Sequence, residues 1–142
     1  MKILIFGLPG SGKSTLAEPF AELLGGVWVN ADQVRKHYDD WDFTSDGRMR
    51  QAQRMRYISD GVVRAGKIAV TDFICPTDAS RLAFDPDYTV WMDTIKEGRF
   101  EDTNKMFEKP ALVNYCVNDW FDDTHIQLTK VVSDYMQRLH AA

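Results

Sequence analysis

Cysteine and histidine are scarce in this chain of 142 residues, two of the first and three of the second, and none falls at a metal-ligand or nucleophile spacing. A zinc cluster or a disulfide framework therefore cannot organise the fold. Cys75 and Cys116 stand alone and read as reduced thiols of a cytoplasmic protein. No apolar run approaches the roughly 18 residues that span a bilayer. The first apolar stretch gives way at once to glycines, so neither a membrane segment nor a signal peptide is expected. A basic excess is missing too. With 17 Lys and Arg against 21 Asp and Glu, the net charge is −4 and no basic tail is present. Bulk charge will not draw such a chain to nucleic acid or to anionic lipid, although a local basic pocket is compatible with it. Repeats, low-complexity tracts and linkers are also absent, and residues 1–142 make one domain's worth of chain.

What the chain does have is concentrated at its start. An apolar strand, Lys2-Ile3-Leu4-Ile5-Phe6, feeds into Gly7-Leu8-Pro9-Gly10-Ser11-Gly12-Lys13-Ser14-Thr15, and an amphipathic helix follows. That is G-x-x-x-x-G-K-[ST] in the strand-to-helix context that gives the motif its meaning. The glycines let the backbone curl so that successive N–H groups converge on a β-phosphate, and the helix start adds its positive end. Gly7, Pro9, Gly10, Ser11, Gly12, Lys13, Ser14 and Thr15 are thus the expected ATP-binding residues. Lys13 neutralises the β- and γ-phosphates and the Ser14 hydroxyl holds Mg²⁺.

Strand-like runs recur at Ile3–Phe6, Val27–Asn30, Ile68–Phe73, Tyr88–Met92 and Leu112–Val117, with helical patterns between most of them. This alternation predicts an α/β fold: one domain with a parallel sheet and helices on both faces. A five-stranded sheet of order 2-3-1-4-5 is the arrangement expected with a phosphate loop after the first strand. The first helix, about Gly12 to Leu24, turns Leu16, Phe20, Leu23 and Leu24 inward, should bend at Pro19 and stops at Gly25-Gly26. The longest runs from an N-cap at Ser45-Asp46 to Gly66, and the last starts near Asp122-Asp123-Thr124 with Ile126, Val131, Tyr135, Met136 and Leu139 as core contacts. On the long helix Met55, Ile58 and Val62 define an apolar arc, and Arg48 and Gln51 fall on or beside it. An arginine and an amide facing inward need polar company. The cleft beyond the carboxyl ends of the strands supplies it, unless Arg48 merely snorkels to solvent. Arg50, Arg56 and Arg64 lie off the arc, as surface charges.

The second strand ends in Asn30-Ala31-Asp32-Gln33-Val34-Arg35. In this architecture that strand end faces the P-loop, so Asp32 can receive the proton of an acceptor hydroxyl as phosphoryl transfer proceeds. Arg35, on the same helical face, can clamp an anionic acceptor. The structural alternative is that Asp32 only caps the next helix. Asp72, ending the third strand, either orients Mg²⁺ or is a turn residue before Pro76. Asp93 reads as a helix cap. The tryptophans read as core or cleft-edge packing, and the histidines carry no assignment.

With these residues together, the chain resembles the adenylylsulfate (APS) kinase group of P-loop kinases. Beside Gly7–Thr15, the matches are Asn30–Arg35 against Asp-Gly-Asp-Asn-x-Arg, and Asp42-Phe43-Thr44-Ser45-Asp46-Gly47-Arg48 against Gly-Phe-Ser-x-x-x-Arg. Asp72-Phe73-Ile74-Cys75-Pro76 stands against Ser-Phe-Ile-Ser-Pro, and Phe107-Glu108-Lys109-Pro110 against a late Tyr-Glu-x-Pro. The resemblance implies an ATP- and Mg²⁺-dependent transferase of sulfate assimilation that phosphorylates the 3′-OH of a small nucleotide acceptor. It makes Asp32 the base, assisted by Lys13 and Arg35. It makes Arg35, Phe43, Arg48, Gln51 and Ile74 acceptor residues, and Arg99–Lys105 a lid whose Arg99 reaches the nucleotide. Its departures fall on substrate-reading positions: Asn30 replaces the first acid, Gln51 an asparagine, and the lid lacks a Lys-Gly-Leu-Tyr-Lys run.

Asn30-x-Asp32-x-x-Arg35, Thr71-Asp72 and Arg81 also resemble 5′-polynucleotide kinases, which would make a nucleic-acid 5′ end the acceptor. Phe43, able to stack on a base, and the acidic overall charge favour the small nucleotide. A nucleotide-binding switch without transfer activity is the reading from a different class, and it has no use for Asp32. The oligomeric state is open, a homodimer included.

Overall fold

The computed structural model describes residues 1–141. Its centre is the strand β1 (Lys2–Phe6), buried along its whole length because it lies mid-sheet with helices on both sides. Around it come α1 (Lys13–Leu24), β2 (Val27–Asn30), α2 (Ala31–Tyr38), α3 (Ser45–Arg64), β3 (Ala69–Asp72) and α4 (Asp78–Phe84). The chain continues through β4 (Tyr88–Met92), α5 (Glu101–Met106), β5 (Tyr115–Val117) and α6 (Thr124–Ala141). The strands pair in parallel, in the expected order β2-β3-β1-β4-β5.

The two-residue period of β1 sorts the core into two layers. Ile3 and Ile5 join Leu16 and Phe20 of α1 and Leu128 and Val132 of α6, whereas Leu4 and Phe6 join Ala52 and Met55 of α3 and Phe84 of α4. The carboxyl ends of β1, β2 and β3 therefore open between the two layers, and the cleft lies there. Pro19 lies inside α1, which continues past it to Leu24 and ends on left-handed Gly25. No helix among the described residues is long and apolar enough to cross a membrane.

Several expectations are corrected. In α6 the buried stripe is Thr124, Leu128 and Val132, with Tyr135 and Met136 packed beside it. Ile126, Val131 and Leu139 are 44, 38 and 54% exposed, because one 18-residue helix presents a single narrow face to α1. Leu23 is half exposed for the same reason. The fifth strand covers only Tyr115–Val117, and Leu112 lies outside the sheet in solvent. The α3 cap is Thr44, whose Oγ1 accepts from the Gly47 amide at 3.2 Å, one residue before the expected pair. No helix follows Asp93; its backbone N–H donates to Val117 and its carboxylate faces Lys96.

The α1 register makes a direct prediction. Phe20→Ala should cost about 3–5 kcal/mol in urea unfolding, by lost burial and a residual cavity. Leu23→Ala, three residues on, should fall within about 0.5 kcal/mol of the parent.

Candidate active site

The phosphate loop lies between β1 and α1. Gly12 adopts φ 95°, and a Cβ there would come within 2.5–2.8 Å of the Trp120 indole, so only glycine fits beneath that ring. No side chain caps α1, which leaves the orphan amides of its first turn to an anion. Pro9, Gly10, Gly12, Lys13, Ser14 and Thr15 line a cleft of about 310 Å³, in the range of small-molecule pockets. Gly7 and Ser11, predicted with them, do not border it; they shape the loop from beneath. The Ser11 hydroxyl is buried without a partner among the described residues, and Thr94 Oγ1 donates to the Ser11 carbonyl at 2.7 Å. Lys13 Nζ rests on the Leu8 carbonyl at 3.0 Å. Burial lowers its pKa to about 8, against the opposing pull of Asp72 and Asp32.

Opposite Lys13 is Asp72, the last residue of β3, 2% exposed. Its carboxylate accepts hydrogen bonds from the Trp28 indole N–H, from Ser14 Oγ at 3.2 Å and from Asn30 Nδ2 at 3.3 Å. Burial raises its pKa, and these donors together with Lys13 oppose the rise. The turn-residue alternative for Asp72 is thereby replaced by a built polar site. Ser14 and Asp72 offer the hard oxygen donors that suit Mg²⁺.

The far wall of the cleft comes from α2, α3 and the loop between them. Asn30, not Asp32, caps α2, its Oδ1 accepting from the Gln33 amide at 3.1 Å. Asp32, one residue into the helix, is exposed, borders the cleft and makes no hydrogen bond with the described residues. Arg35 is 4% exposed; its Nη1 donates to the carbonyls of Asp40 and Asp42 at 2.9 and 3.2 Å, and its guanidinium lies 4.3 Å from the Phe43 ring. Arg48 does not snorkel outward. It is 8% exposed, with Nε on the Phe43 carbonyl at 3.0 Å and Nη2 on Thr103 Oγ1 at 2.7 Å. Gln51 borders the cleft as expected; its amide donates to the Ala31 carbonyl and its oxygen accepts from Arg54. Arg50, a surface charge as expected, joins Arg54 in pairing with Asp40, and both hold that carboxyl well below its usual range. Ile74 and Arg99 also border the cleft. Lys105 of the expected lid does not; it lies on the exposed side of α5, paired with Glu101 at 3.4 Å.

Arg81, invoked for a 5′-phosphate, is turned to other work. It donates to the carbonyls of Cys75, Pro76 and Glu108 and to Asp78, and its guanidinium lies 4.6 Å from the Phe6 ring centre and 5.2 Å from that of Phe107.

The sequence model of the adenylylsulphate kinase family matches residues 1–93, the part of the chain that carries the phosphate loop, Asp32, Arg35, Arg48 and Asp72. The chain belongs to that family. A probable adenylyl-sulfate kinase of Aeropyrum pernix is 30% identical over 88 residues, 56% of this chain and 46% of that protein. An adenylyl-sulfate kinase of Erwinia tasmaniensis is 33% identical over 100 residues, 66% of this chain and 46% of that protein. The chain thus spans about half the length of these relatives. Among solved structures, the APS kinase CysC of Mycobacterium tuberculosis, in complex with AMPPNP and APS, superposes with a TM-score of 0.77 over 93% of this chain and 96% of that one, at 16% identity. That likeness shows the same fold over nearly the whole chain.

Trp120 is the cleft-edge packing expected of it, lying over Gly12. Sequence reasoning missed the hydrogen bond of Trp28 and the places of Thr94 and Thr103: their types carry no motif, and only the register of β2 against β3, the loop after β4 and α5 bring them in.

The lowered pKa of Lys13 makes nucleotide binding pH-dependent. A lysine titrating near 8 is mostly cationic at pH 7 and mostly neutral at pH 9, so affinity for an ATP analogue should fall by about tenfold over that interval. Calorimetric titration checks this, and Lys13→Arg should flatten the profile.

Proposed function

We propose that this chain is an ATP-dependent kinase that moves the γ-phosphoryl group to a hydroxyl of a small nucleotide, with the 3′-OH of adenylylsulfate as the acceptor. The observation that carries this reading is the Asp32 carboxylate: exposed, unbonded, and on the same cleft as Lys13 and Ser14 on one side and Arg35, Phe43 and Arg48 on the other. A nucleotide switch would have no need of a base there.

In this reading the acceptor oxygen attacks the γ-phosphorus while its proton passes to Asp32. The bond from the γ-phosphorus to the bridging oxygen breaks, and ADP departs with the electron pair. Lys13 leaves the Leu8 carbonyl for the β- and γ-phosphates. Ser14 and Asp72 would hold Mg²⁺, which would supply charge neutralisation there. Arg35 and Arg48 hold the anionic end of the acceptor, and the half-exposed Phe43 ring takes its base. Arg99 covers the nucleotide from the loop before α5. The 5′-hydroxyl polynucleotide reading keeps Asn30-x-Asp32-x-x-Arg35 and Asp72 but loses Arg81, which lies outside the cleft.

Radiolabelled transfer from ATP to adenylylsulfate, or to a 5′-hydroxyl oligonucleotide, tests the assignment. Label should appear on adenylylsulfate; label on the oligonucleotide alone, or on neither, would overturn it. With that acceptor, Asp32→Asn should lower kcat by roughly 10²–10⁴ and leave ATP binding unchanged. Arg35→Ala should act chiefly on acceptor KM.

A further inference from the structure

Arg35 of α2 and Arg48, Arg50 and Arg54 of α3 are held in two different ways. Arg50 and Arg54 pair with the carboxylate of Asp40. Arg35 and Arg48 make no ion pair with the described residues; neutral oxygens hold them, the Asp40 and Asp42 carbonyls for the first, the Phe43 carbonyl and the Thr103 hydroxyl for the second. Thr103 is the one side chain among those acceptors. It comes from α5, 55 residues further along the chain, and is 3% exposed. Its neighbour Asn104 clamps Gly98, with Oδ1 accepting from the Gly98 N–H at 2.8 Å and Nδ2 donating to the Gly98 carbonyl at 3.1 Å. A Cβ on Gly98 would lie 3.2 Å from the Pro9 carbonyl, so α5 is anchored against the phosphate loop while Thr103 reaches across to Arg48.

Two bonds, at Nε and at Nη2, fix the plane of the Arg48 guanidinium, and Nη1 keeps no partner among the described residues. A hydroxyl at this point fixes that plane without cancelling the charge. A carboxylate in its place would pair with Arg48, as Asp40 does with Arg54, and would compete with any anion entering the cleft. We propose that Thr103 is a positioning residue for the acceptor: its hydroxyl turns the free edge of Arg48 toward the acceptor's anionic end, and its neutrality reserves the charge of Arg48 for that end. The segment that supplies Arg99 to the nucleotide side thus also sets the acceptor side.

This rests on the reading of Arg48 as an acceptor residue. The test compares Thr103→Val, Thr103→Ser and Thr103→Asp with the parent, by steady-state kinetics with ATP and adenylylsulfate and by calorimetric titration of AMPPNP. Thr103→Val keeps the shape and loses the hydroxyl, so it should raise acceptor KM by about tenfold, with kcat and AMPPNP affinity within about twofold of the parent. Thr103→Ser should return KM to within about threefold. Thr103→Asp still bonds Arg48 but cancels its charge, and it should raise KM at least as far as Thr103→Val does, an arm that holds even if the valine variant folds poorly. A parent-like acceptor KM in Thr103→Val or Thr103→Asp, whatever the melting temperature, would make Thr103 a packing residue and overturn the proposal. So would a Thr103→Ser no better than Thr103→Val, or a loss of AMPPNP affinity as large as the rise in KM. A parent that turns over no adenylylsulfate would remove the acceptor reading and this inference together, whereas those variant results beside an active parent would remove the inference alone.

Discussion

A carboxylate and an ammonium brought out of water beneath one loop are what the rest of this structure is arranged around. Burial drives Lys13 and Asp72 in opposite directions, lowering the pKa of the first and raising that of the second, and each opposes the shift of the other. Neither charge is tolerable there alone. The sheet order meets this need: β1 delivers the loop, β3 delivers the acid beside it, and β2 supplies the indole and the amide that hold that acid. Lys13 waits on a single carbonyl oxygen, a weak partner that a triphosphate can displace.

The opposite wall is built by a different device. Arg35 and Arg48 reach the cleft because backbone carbonyls of the loop between α2 and α3 take part of their hydrogen-bonding capacity and the Phe43 ring lies against both. The outer arginines, Arg50 and Arg54, are held on Asp40 and do not compete for the cleft. A ligand therefore meets guanidinium groups already oriented, which lowers the entropy cost of binding. Arg48 also bonds Thr103 of α5, so the acceptor wall and the segment carrying Arg99 are fastened to one another.

Strand positions were legible because parallel central strands are short apolar runs bounded by turn residues, and the phosphate loop because its glycines, lysine and hydroxyl have one purpose in that order. Most predicted site residues converge on one cleft because the phosphate loop, the Asp32 turn and Asp72–Pro76 sit at the carboxyl ends of strands, and α3 brings Arg48 and Gln51 over them. What failed was local pattern without tertiary context. Leu112, Ile126 and Leu139 are apolar but meet no neighbouring layer, and Asp93 has the chemistry of a cap with no helix to cap. Arg81 carries a charge that suits a phosphate, yet the carbonyls of Cys75, Pro76 and Glu108 surround it. Trp28 looked like packing because nothing in its neighbours along the chain reveals that an acid on β3 lies beside its indole nitrogen.

The claim at the centre of this account is that the cleft holds donor and acceptor on opposite sides of Asp32. A crystal structure with AMPPNP, Mg²⁺ and adenylylsulfate measures it directly. The account predicts the 3′-hydroxyl oxygen within about 3 Å of an Asp32 carboxylate oxygen and facing the γ-phosphorus, with the acceptor's anionic end on Arg35 and Arg48. An acceptor bound away from Asp32, or a nucleotide that leaves Lys13 on the Leu8 carbonyl, would contradict it.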